Sequence, residues 1–213
     1  MSRADNEVVI LDAEQMSRTL TRIAHEIIEK NPPDTPLAVV GIHTRGAYLG
    51  RRLHALLSEL SGRDLPLGEI DISFYRDDIA ARGATGVIPK TPQPIVKDSN
   101  LPFKLEGMTV ILVDDVLYTG RTIRAAIDAI FDFGRPNRIQ LAVLVDRGHR
   151  ELPIRPDYVG KNLPTALRER ISVRVRECDE ADEVVLVRSL GNLDKFIWQP
   201  GDIHMVNGHG ADE

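Results

Sequence analysis

Hydrophobic positions recur along the chain with two spacings, that of an amphipathic helix and that of buried strands. Helical spacing over about residues 13–30 predicts a first helix, which Asn31 and the two prolines after it end. Its apolar positions are Met16, Leu20, Ile23, Ala24, Ile27 and Ile28. Apolar or alternating runs predict strands at 37–42, 69–75, 109–113 and 138–146, and helices are predicted at 47–60 and 123–133. The fold class is therefore α/β, with a mostly parallel central sheet flanked by helices.

Two segments lack this periodicity. The stretch between Tyr75 and Thr109 is rich in glycine and proline and too long for a simple connection. Such segments are functional lids or are disordered, and we favour a flexible lid because of the motifs that flank it. After about Ser189 the chain is polar and acidic. We therefore expect one domain over residues 1–188 and a partly disordered tail over 189–213.

Composition narrows the class of protein. Of the 213 residues, 42% are hydrophobic and 28% are charged, which is the balance of a globular protein. No apolar run reaches the roughly 20 residues of a spanning helix, and the first residues do not follow a secretory pattern. Cys178 is the only cysteine, which excludes an internal disulfide. We expect a cytoplasmic protein without a membrane partner.

Charge is unevenly distributed. The net charge of −5 argues against nucleic-acid binding through bulk charge. The segment from Arg147 to Arg176, however, contains eight basic and three acidic residues, whereas the segment from Glu177 to the end contains two basic and nine acidic residues. A basic segment thus precedes an acidic one.

The chemistry-bearing motif is VILVDDVLYTGRT, Val110–Thr122. A buried strand delivers Asp114 and Asp115 to its end, where adjacent carboxylates can accept hydrogen bonds from a sugar diol. The turn Thr119–Thr122 then offers backbone amides, hydroxyls and a guanidinium at a helix N-terminus, which is a phosphate cradle. Acid pairs and Thr-Gly turns also occur as simple caps and turns, so each part alone is a weak signal.

Two further segments carry candidate ligands for an anion. In GIHTRG, Thr44, Arg45 and Gly46 follow a strand and lie at the same edge of the sheet, where Arg45 can reach a pyrophosphate. Alone, such a Gly-Arg turn indicates only a tight connection. At the start of the lid, Arg76 can neutralise a leaving pyrophosphate, although a solvated charge cluster would have the same sequence.

The segment Val145–Thr165 has the parts of a nucleobase pocket. Tyr158 can stack on a pyrimidine, and the backbone of Val159 and Gly160, on what we expect to be irregular chain, can read its carbonyl and imide edge. Arg147 at the start of the segment is a further candidate for binding the base.

Taken together, these stretches resemble the type I phosphoribosyltransferases. The similarity is specific to their bifunctional pyrimidine-operon regulators with uracil phosphoribosyltransferase activity, and it extends from about Val9 to Arg188. The matching stretches, in order, are TRIAHEII, TRG, YRDD, VILVDDVLYTGRT, GRP and QLAVLVDRGHRELPIR.

The resemblance implies an activity and its residues. Uracil would displace pyrophosphate from phosphoribosyl pyrophosphate, giving UMP, with Mg²⁺ carried on the pyrophosphate and with Asp114, Asp115 and Arg45 as the catalytic set. Purine-using members place a carboxylate base just before the Thr-Gly turn, where this chain has Tyr118, so no base is assigned. The implied sugar-phosphate site comprises Thr44, Arg45, Gly46, Arg76, Asp114, Asp115, Val116, Leu117, Tyr118, Thr119, Gly120, Arg121 and Thr122.

The resemblance also implies a partner, the leader mRNA of a pyrimidine operon. The family's RNA-contacting positions correspond to Thr21, His25, Arg150, Arg155 and Lys161. The polar face of the first helix would otherwise be taken as solvated surface. Relatives self-associate, so we expect a homo-oligomer. Two alternatives stay open: a salvage enzyme without RNA regulation, and a nucleotide-sensing RNA regulator with negligible catalysis.

Overall fold

The computed structural model describes residues 6–72 and 99–188, and its elements alternate as the pattern predicts. Their order is β1 (Glu7–Leu11), α1 (Ala13–Lys30), β2 (Leu37–Ile42), α2 (Arg45–Ser61), β3 (Leu67–Ile70), β4 (Thr109–Leu117), α3 (Arg121–Phe133), β5 (Arg138–Asp146), β6 (Tyr158–Asn162), β7 (Glu169–Arg174), α4 (Arg176–Asp179) and β8 (Glu183–Arg188). The predicted lid and tail, including Arg76, lie outside the described residues.

The central sheet has five strands in the order β3-β2-β4-β5-β6, and all its neighbours are parallel. The α/β class with a mostly parallel sheet flanked by helices is therefore confirmed. All six residues of β2 are buried, as expected for a strand covered on both faces. Parallel strands bring their carboxyl ends to one edge, which is where ligands bind in this class.

Helices cover both faces of this sheet. On one face, α1 and α2 pack in a core that also includes residues of β7 and β8. On the other face, α3 packs through Ile123, Ala126 and Ile130. At the start of α1, a capping box joins Asp12 and Gln15: the Gln15 N–H donates to Asp12 Oδ1 at 2.8 Å, and the Asp12 N–H donates to Gln15 Oε1 at 3.0 Å.

A second sheet was not predicted. Strands β1, β8 and β7 form an antiparallel sheet in which β8 lies in the middle. The strand boundaries also differ from the predictions: β3 ends at Ile70, and β4 continues to Leu117. Within the described residues, no helix is both long and apolar enough to span a bilayer.

Candidate active site

The acid pair lies inside β4, because this strand continues to Leu117, beyond the predicted end at residue 113. Asp114 is buried, with 6% of its surface exposed, and Asp115 is half-buried. The Asp115 N–H donates to Asp114 Oδ1 at 3.0 Å, and the Val116 N–H donates to Asp115 Oδ1 at 2.8 Å. Burial raises the pKa of Asp115, against the lowering effects of the Val116 N–H and of Arg45. The strand thus presents two fixed carboxylates side by side.

The turn after β4 encloses a cavity of about 220 Å³, lined by residues 116–123. Gly120 has φ +92°, a left-handed conformation that glycine adopts without a steric penalty, and α3 begins at the next residue. The first amides of a helix have no partner within the helix, and the Arg121 N–H makes a long hydrogen bond of 3.4 Å to Thr119 Oγ1, which an anion can replace. The cavity is therefore built as a phosphate site would be.

Residues 151 and 152 form hydrogen bonds with this turn. The N–H groups of Glu151 and Leu152 donate to the Thr119 carbonyl at 3.0 and 3.1 Å, and the Glu151 carboxylate accepts from Arg121 Nε at 2.7 Å. The Arg121 side chain is consequently paired with a carboxylate, and it is more than half exposed.

The start of α2 packs directly on β4. A Cβ added to Gly46 would lie 2.7 Å from the Val113 carbonyl oxygen and 3.1 Å from Asp114 Oδ1, so only glycine permits this approach. The turn before it contains a cis peptide bond between His43 and Thr44. The close approach of Gly46 to Val113 and Asp114 therefore sets the start of α2 beside the acid pair.

Arg45 forms an ion pair that the sequence did not indicate. Its Nε and Nη2 donate to the two carboxylate oxygens of Asp179 at 3.0 and 2.7 Å. The pair lowers the pKa of Asp179 to about 2. Asp179 lies 134 residues further along the chain, so no local motif marks this contact.

Arg147 is also held within the fold. It is 7% exposed, and its guanidinium donates to Thr165 Oγ1 at 3.0 Å and to the Glu169 carbonyl at 2.8 Å. The guanidinium carbon lies 4.1 Å from the centroid of the Tyr118 ring, a cation–π distance. Arg147 thus supports the residue that precedes the Thr-Gly turn.

The predicted stacking role of Tyr158 is wrong. The side chain is 1% exposed, and its hydroxyl is bonded to Gln140 and Asn31, both at 3.1 Å. Tyr158 begins β6 and pairs with Ala142, so it lies away from the carboxyl edge of the sheet.

The predicted irregular chain at Val159 and Gly160 also needs correction. Both residues lie in β6, not in irregular chain, and their carbonyls accept hydrogen bonds from Arg22 Nη2 at 2.9 and 2.7 Å. Each carbonyl therefore already accepts one hydrogen bond, and contact of this backbone with a base stays a prediction.

The predicted RNA-contacting residues lie on adjoining elements. Thr21 and His25 are on α1, which Arg22 ties to β6, and Lys161 is exposed on β6. Arg155 is exposed and lines a shallow cavity of about 380 Å³ with Arg150. Arg150 itself is turned inward, because it pairs with Asp146 and donates to the Tyr118 carbonyl.

Metal ligands are few in the described residues. Across 6–72 and 99–188, no group of three His, Cys, Asp or Glu side chains is arranged to hold a metal ion. Mg²⁺ commonly binds through one or two carboxylates together with substrate phosphates, and the acid pair of β4 fits that donor set.

Comparison with known proteins agrees with the predicted family. Residues 9–175 match the family described as the phosphoribosyl transferase domain. The chain belongs to the phosphoribosyl transferase family. Its relatives include proteins named bifunctional protein PyrR: one from Deinococcus deserti is 57% identical, covering 84% of this chain and 94% of the relative. Another, from Chloroflexus aurantiacus, is 54% identical and covers 88% and 98% of the two chains.

Solved phosphoribosyltransferases share the fold. A hypoxanthine phosphoribosyltransferase from Staphylococcus aureus superposes with a TM-score of 0.63 at 20% identity, covering 89% of this chain and 98% of that one. The enzyme from Trypanosoma cruzi in complex with IMP gives a TM-score of 0.62 at 17% identity, covering 89% and 94%. At such identity the likeness concerns the fold, including the parallel sheet and its carboxyl edge.

Proposed function

We propose that the chain transfers a phosphoribosyl group from phosphoribosyl pyrophosphate to uracil, and that it also binds the leader RNA of a pyrimidine operon in response to uridine nucleotides. The observation that carries this proposal is the packing of Gly46 against Asp114, which joins an acid pair, a phosphate cavity and Arg45 at one edge. Relatives with the name bifunctional PyrR, at 54–57% identity, support the assignment of two activities.

The reaction breaks the bond between C1 of the ribose and the pyrophosphate oxygen and forms a bond from C1 to N1 of uracil. Pyrophosphate leaves with the bonding electrons, and uracil loses its N1 proton. Positive charge develops on the sugar and negative charge on the leaving group, so catalysis depends on positioning and electrostatics.

Each part of the site has one task in this scheme. Asp114 and Asp115 accept hydrogen bonds from the ribose hydroxyls, and the cavity of residues 116–123 takes the 5′-phosphate at the start of α3. Arg45 faces the leaving pyrophosphate. Mg²⁺ carried by the substrate would be held near Asp114 and Asp115, and it neutralises charge on the pyrophosphate when bound.

Uracil recognition falls to the region of Tyr118. Arg147 lies over the ring at 4.1 Å, and the His149 ring contacts it edge-on with centroids 6.1 Å apart. The ring is therefore clamped beside the phosphate cavity and remains exposed enough to contact a base. Tyr118 occupies the position before Thr119, so that position offers no carboxylate base. Proton removal from uracil is therefore left to water or to the pyrophosphate product.

RNA binding uses polar and basic residues of α1, of β6 and of the loop before β6. Thr21 and His25 on α1, Arg155 and Lys161 offer hydrogen-bond donors and positive charge, and a few phosphate contacts suffice for strongly salt-dependent binding. Sequence preference then comes from unpaired bases in a hairpin loop or bulge. In this proposal the protein acts in the cytoplasm as a homo-oligomer.

Two assays test the proposal together. One measures pyrophosphate release with uracil and phosphoribosyl pyrophosphate, and the other measures binding of the operon's leader transcript with and without UMP. Asp115→Asn is expected to lower kcat/KM about 100-fold and spare RNA affinity, whereas Lys161→Ala is expected to weaken RNA binding and spare turnover. Turnover without RNA binding would identify a salvage enzyme, and RNA binding without turnover would identify a regulator only.

A further inference from the structure

The contact between Arg45 and Asp179 joins the predicted pyrophosphate-binding turn to the segment between β7 and β8. Both oxygens of Asp179 are used, because Oδ2 accepts from Arg45 Nε at 3.0 Å and Oδ1 accepts from Nη2 at 2.7 Å. Such a two-point bond fixes the plane of the guanidinium as well as its position.

Asp179 does not depend on Arg45 for its own position. Its Oδ2 also accepts the Val175 N–H at 3.0 Å and the Cys178 thiol at 3.2 Å, and its own N–H donates to the Val175 carbonyl at 2.7 Å. The hydrogen bonds from Val175 and Cys178 therefore hold the Asp179 carboxylate independently of Arg45.

A second arginine anchors the same segment to α2. Arg52 Nη2 lies 2.7 Å from an Asp182 oxygen, and Arg52 Nε donates to Glu177 at 2.9 Å. Since Arg52 lies two turns of α2 beyond Arg45, the segment 177–182 stays docked on the helix when the Arg45 contact alone is removed. Glu177 is therefore a natural control for Asp179.

The geometry of the pair leaves Arg45 able to bind an anion. A guanidinium carries five N–H groups. Asp179 occupies the side formed by Nε and Nη2, which leaves both hydrogens of Nη1 and one of Nη2 for the opposite edge. The Arg45 side chain is 37% exposed, whereas that of Asp179 is 19% exposed, so the arginine is the more accessible partner.

We propose that Asp179 is a positioning residue for the transfer reaction: it holds Arg45 so that its free edge meets the pyrophosphate as the bond to the sugar breaks. This inference rests on the proposed function, because it assumes that Arg45 faces the leaving group. The contribution is greatest in the transition state, where charge on the pyrophosphate has increased, so it acts on kcat more than on KM.

A double-mutant cycle tests the proposal by steady-state kinetics on the full chain. Arg45→Gln should lower kcat about 100-fold, as loss of a transition-state donor does. Asp179→Asn should lower kcat about 10-fold with a smaller change in the KM for phosphoribosyl pyrophosphate, since misplacement of such a group is costly. In the Arg45→Gln background, Asp179→Asn should change kcat less than about two-fold, because residues that act as one unit are not additive.

Two further variants separate positioning from general support of the fold. Asp179→Glu keeps the ion pair and should restore kcat to within about three-fold of the wild type, whereas Glu177→Gln should leave kcat within about two-fold, in line with exposed ion pairs of small net effect. Thermal unfolding checks each variant. If Asp179→Asn does not fold, Asp179→Glu replaces it in the cycle, with a loss of about three-fold expected only when Arg45 is present.

Several results would overturn the proposal. One is an equal loss of kcat from Asp179→Asn in the wild-type and Arg45→Gln backgrounds, and another is no recovery of kcat with Asp179→Glu. A third is a lower KM for phosphoribosyl pyrophosphate at unchanged kcat in Asp179→Asn, which would show that Asp179 competes with the substrate for Arg45. Full activity of Arg45→Gln would instead remove Arg45 from the proposed reaction, so failure of the proposed function is distinguishable from failure of this inference.

Discussion

Arg150 Nη1 donates a 2.8 Å hydrogen bond to the backbone carbonyl of Tyr118, so a residue of the predicted RNA surface also supports the phosphate turn. The same guanidinium donates to the Ile154 carbonyl at 3.0 Å and pairs with Asp146. The side chain is only 22% exposed. Arg150 therefore links two sites that the sequence treated as separate.

Arg150→Ala is expected to lower the free energy of unfolding by about 1–3 kcal/mol, because Asp146 and the two carbonyls lose a charged donor. Lys161→Ala, at an exposed position of β6, should change it by less than about 0.5 kcal/mol. Urea denaturation of both variants measures the difference. Equal stabilities would mean that the inward contacts of Arg150 contribute nothing to the stability of the fold. If the expected difference is found, Lys161→Ala is the better variant for testing RNA binding alone.

Asp115→Asn is expected to reduce kcat/KM for phosphoribosyl pyrophosphate by about 100-fold through lost sugar positioning, yet to stabilise the fold. Folding raises the pKa of Asp115, so its ionised form destabilises the folded state. This destabilisation is absent below the pKa that Asp115 has in the unfolded state. It appears as the pH rises through the pKa that Asp115 has in the folded state. At pH 7 the variant should gain roughly 1–4 °C in Tm, measured by calorimetry.

Asp128→Asn is the control for Asp115→Asn. Asp128 lies on α3, and its side chain is 55% exposed in a 3.6 Å pair with Arg124. Neither activity nor Tm should change. A lower Tm for Asp115→Asn would contradict the argument from burial.

Asp179→Asn should destabilise the protein in a pH-dependent way. Arg45 lowers the pKa of Asp179 to about 2, so the stabilisation is fully present above the unfolded pKa and is lost as pH falls towards 2. With allowance for the partial exposure of Arg45, it amounts to about 1 kcal/mol. Denaturation of the wild type and the variant at pH 6, 4 and 3 should show their difference shrinking as the pH falls.

The exposed neighbour Glu180 provides the control for this pH series. It forms no ion pair with any residue in the described ranges, so Glu180→Gln should leave the stability difference near zero at each pH. A difference for Asp179→Asn that stays constant from pH 6 to pH 3 would rule out the linkage.

Tyr158→Phe is expected to affect stability and not uracil binding. Removal of the hydroxyl leaves Asn31 and Gln140 with one partner fewer in the core, at a cost of about 1–2 kcal/mol. The KM for uracil should not change, because the ring lies at the opposite end of β6 from the carboxyl edge. A raised KM for uracil would restore the stacking role that the structure removes.

Much of the central architecture follows from local pattern. The apolar positions of α1 and the six consecutive apolar or glycine residues of β2 predict the observed boundaries, because burial of one face or of both sets the period. The motif from Val110 to Thr122 also predicts a strand, a turn and a helix in the right order. These features depend on neighbours within a few residues.

The remaining features depend on distant parts of the chain. Asp179 meets Arg45 across 134 residues, and nothing near either residue marks the pair. Tyr158 reads equally well as a base-stacking ring or as a core residue, and only its place at the start of β6 decides between them. The antiparallel sheet was missed because its three strands are short and β1 is far in sequence from β7 and β8.

The arrangement of that antiparallel sheet has a consequence for biosynthesis. β1 is translated before the other described strands, but its partner β8 is the last of them, and the Arg188 N–H donates to the Asn6 carbonyl at 2.9 Å. The first strand must therefore wait unpaired while more than a hundred and fifty intervening residues are translated, about ten seconds or more at typical elongation rates. A nascent chain stalled before α4 would have Arg45 without its carboxylate, so newly made polypeptide completes this site only after α4 has been translated.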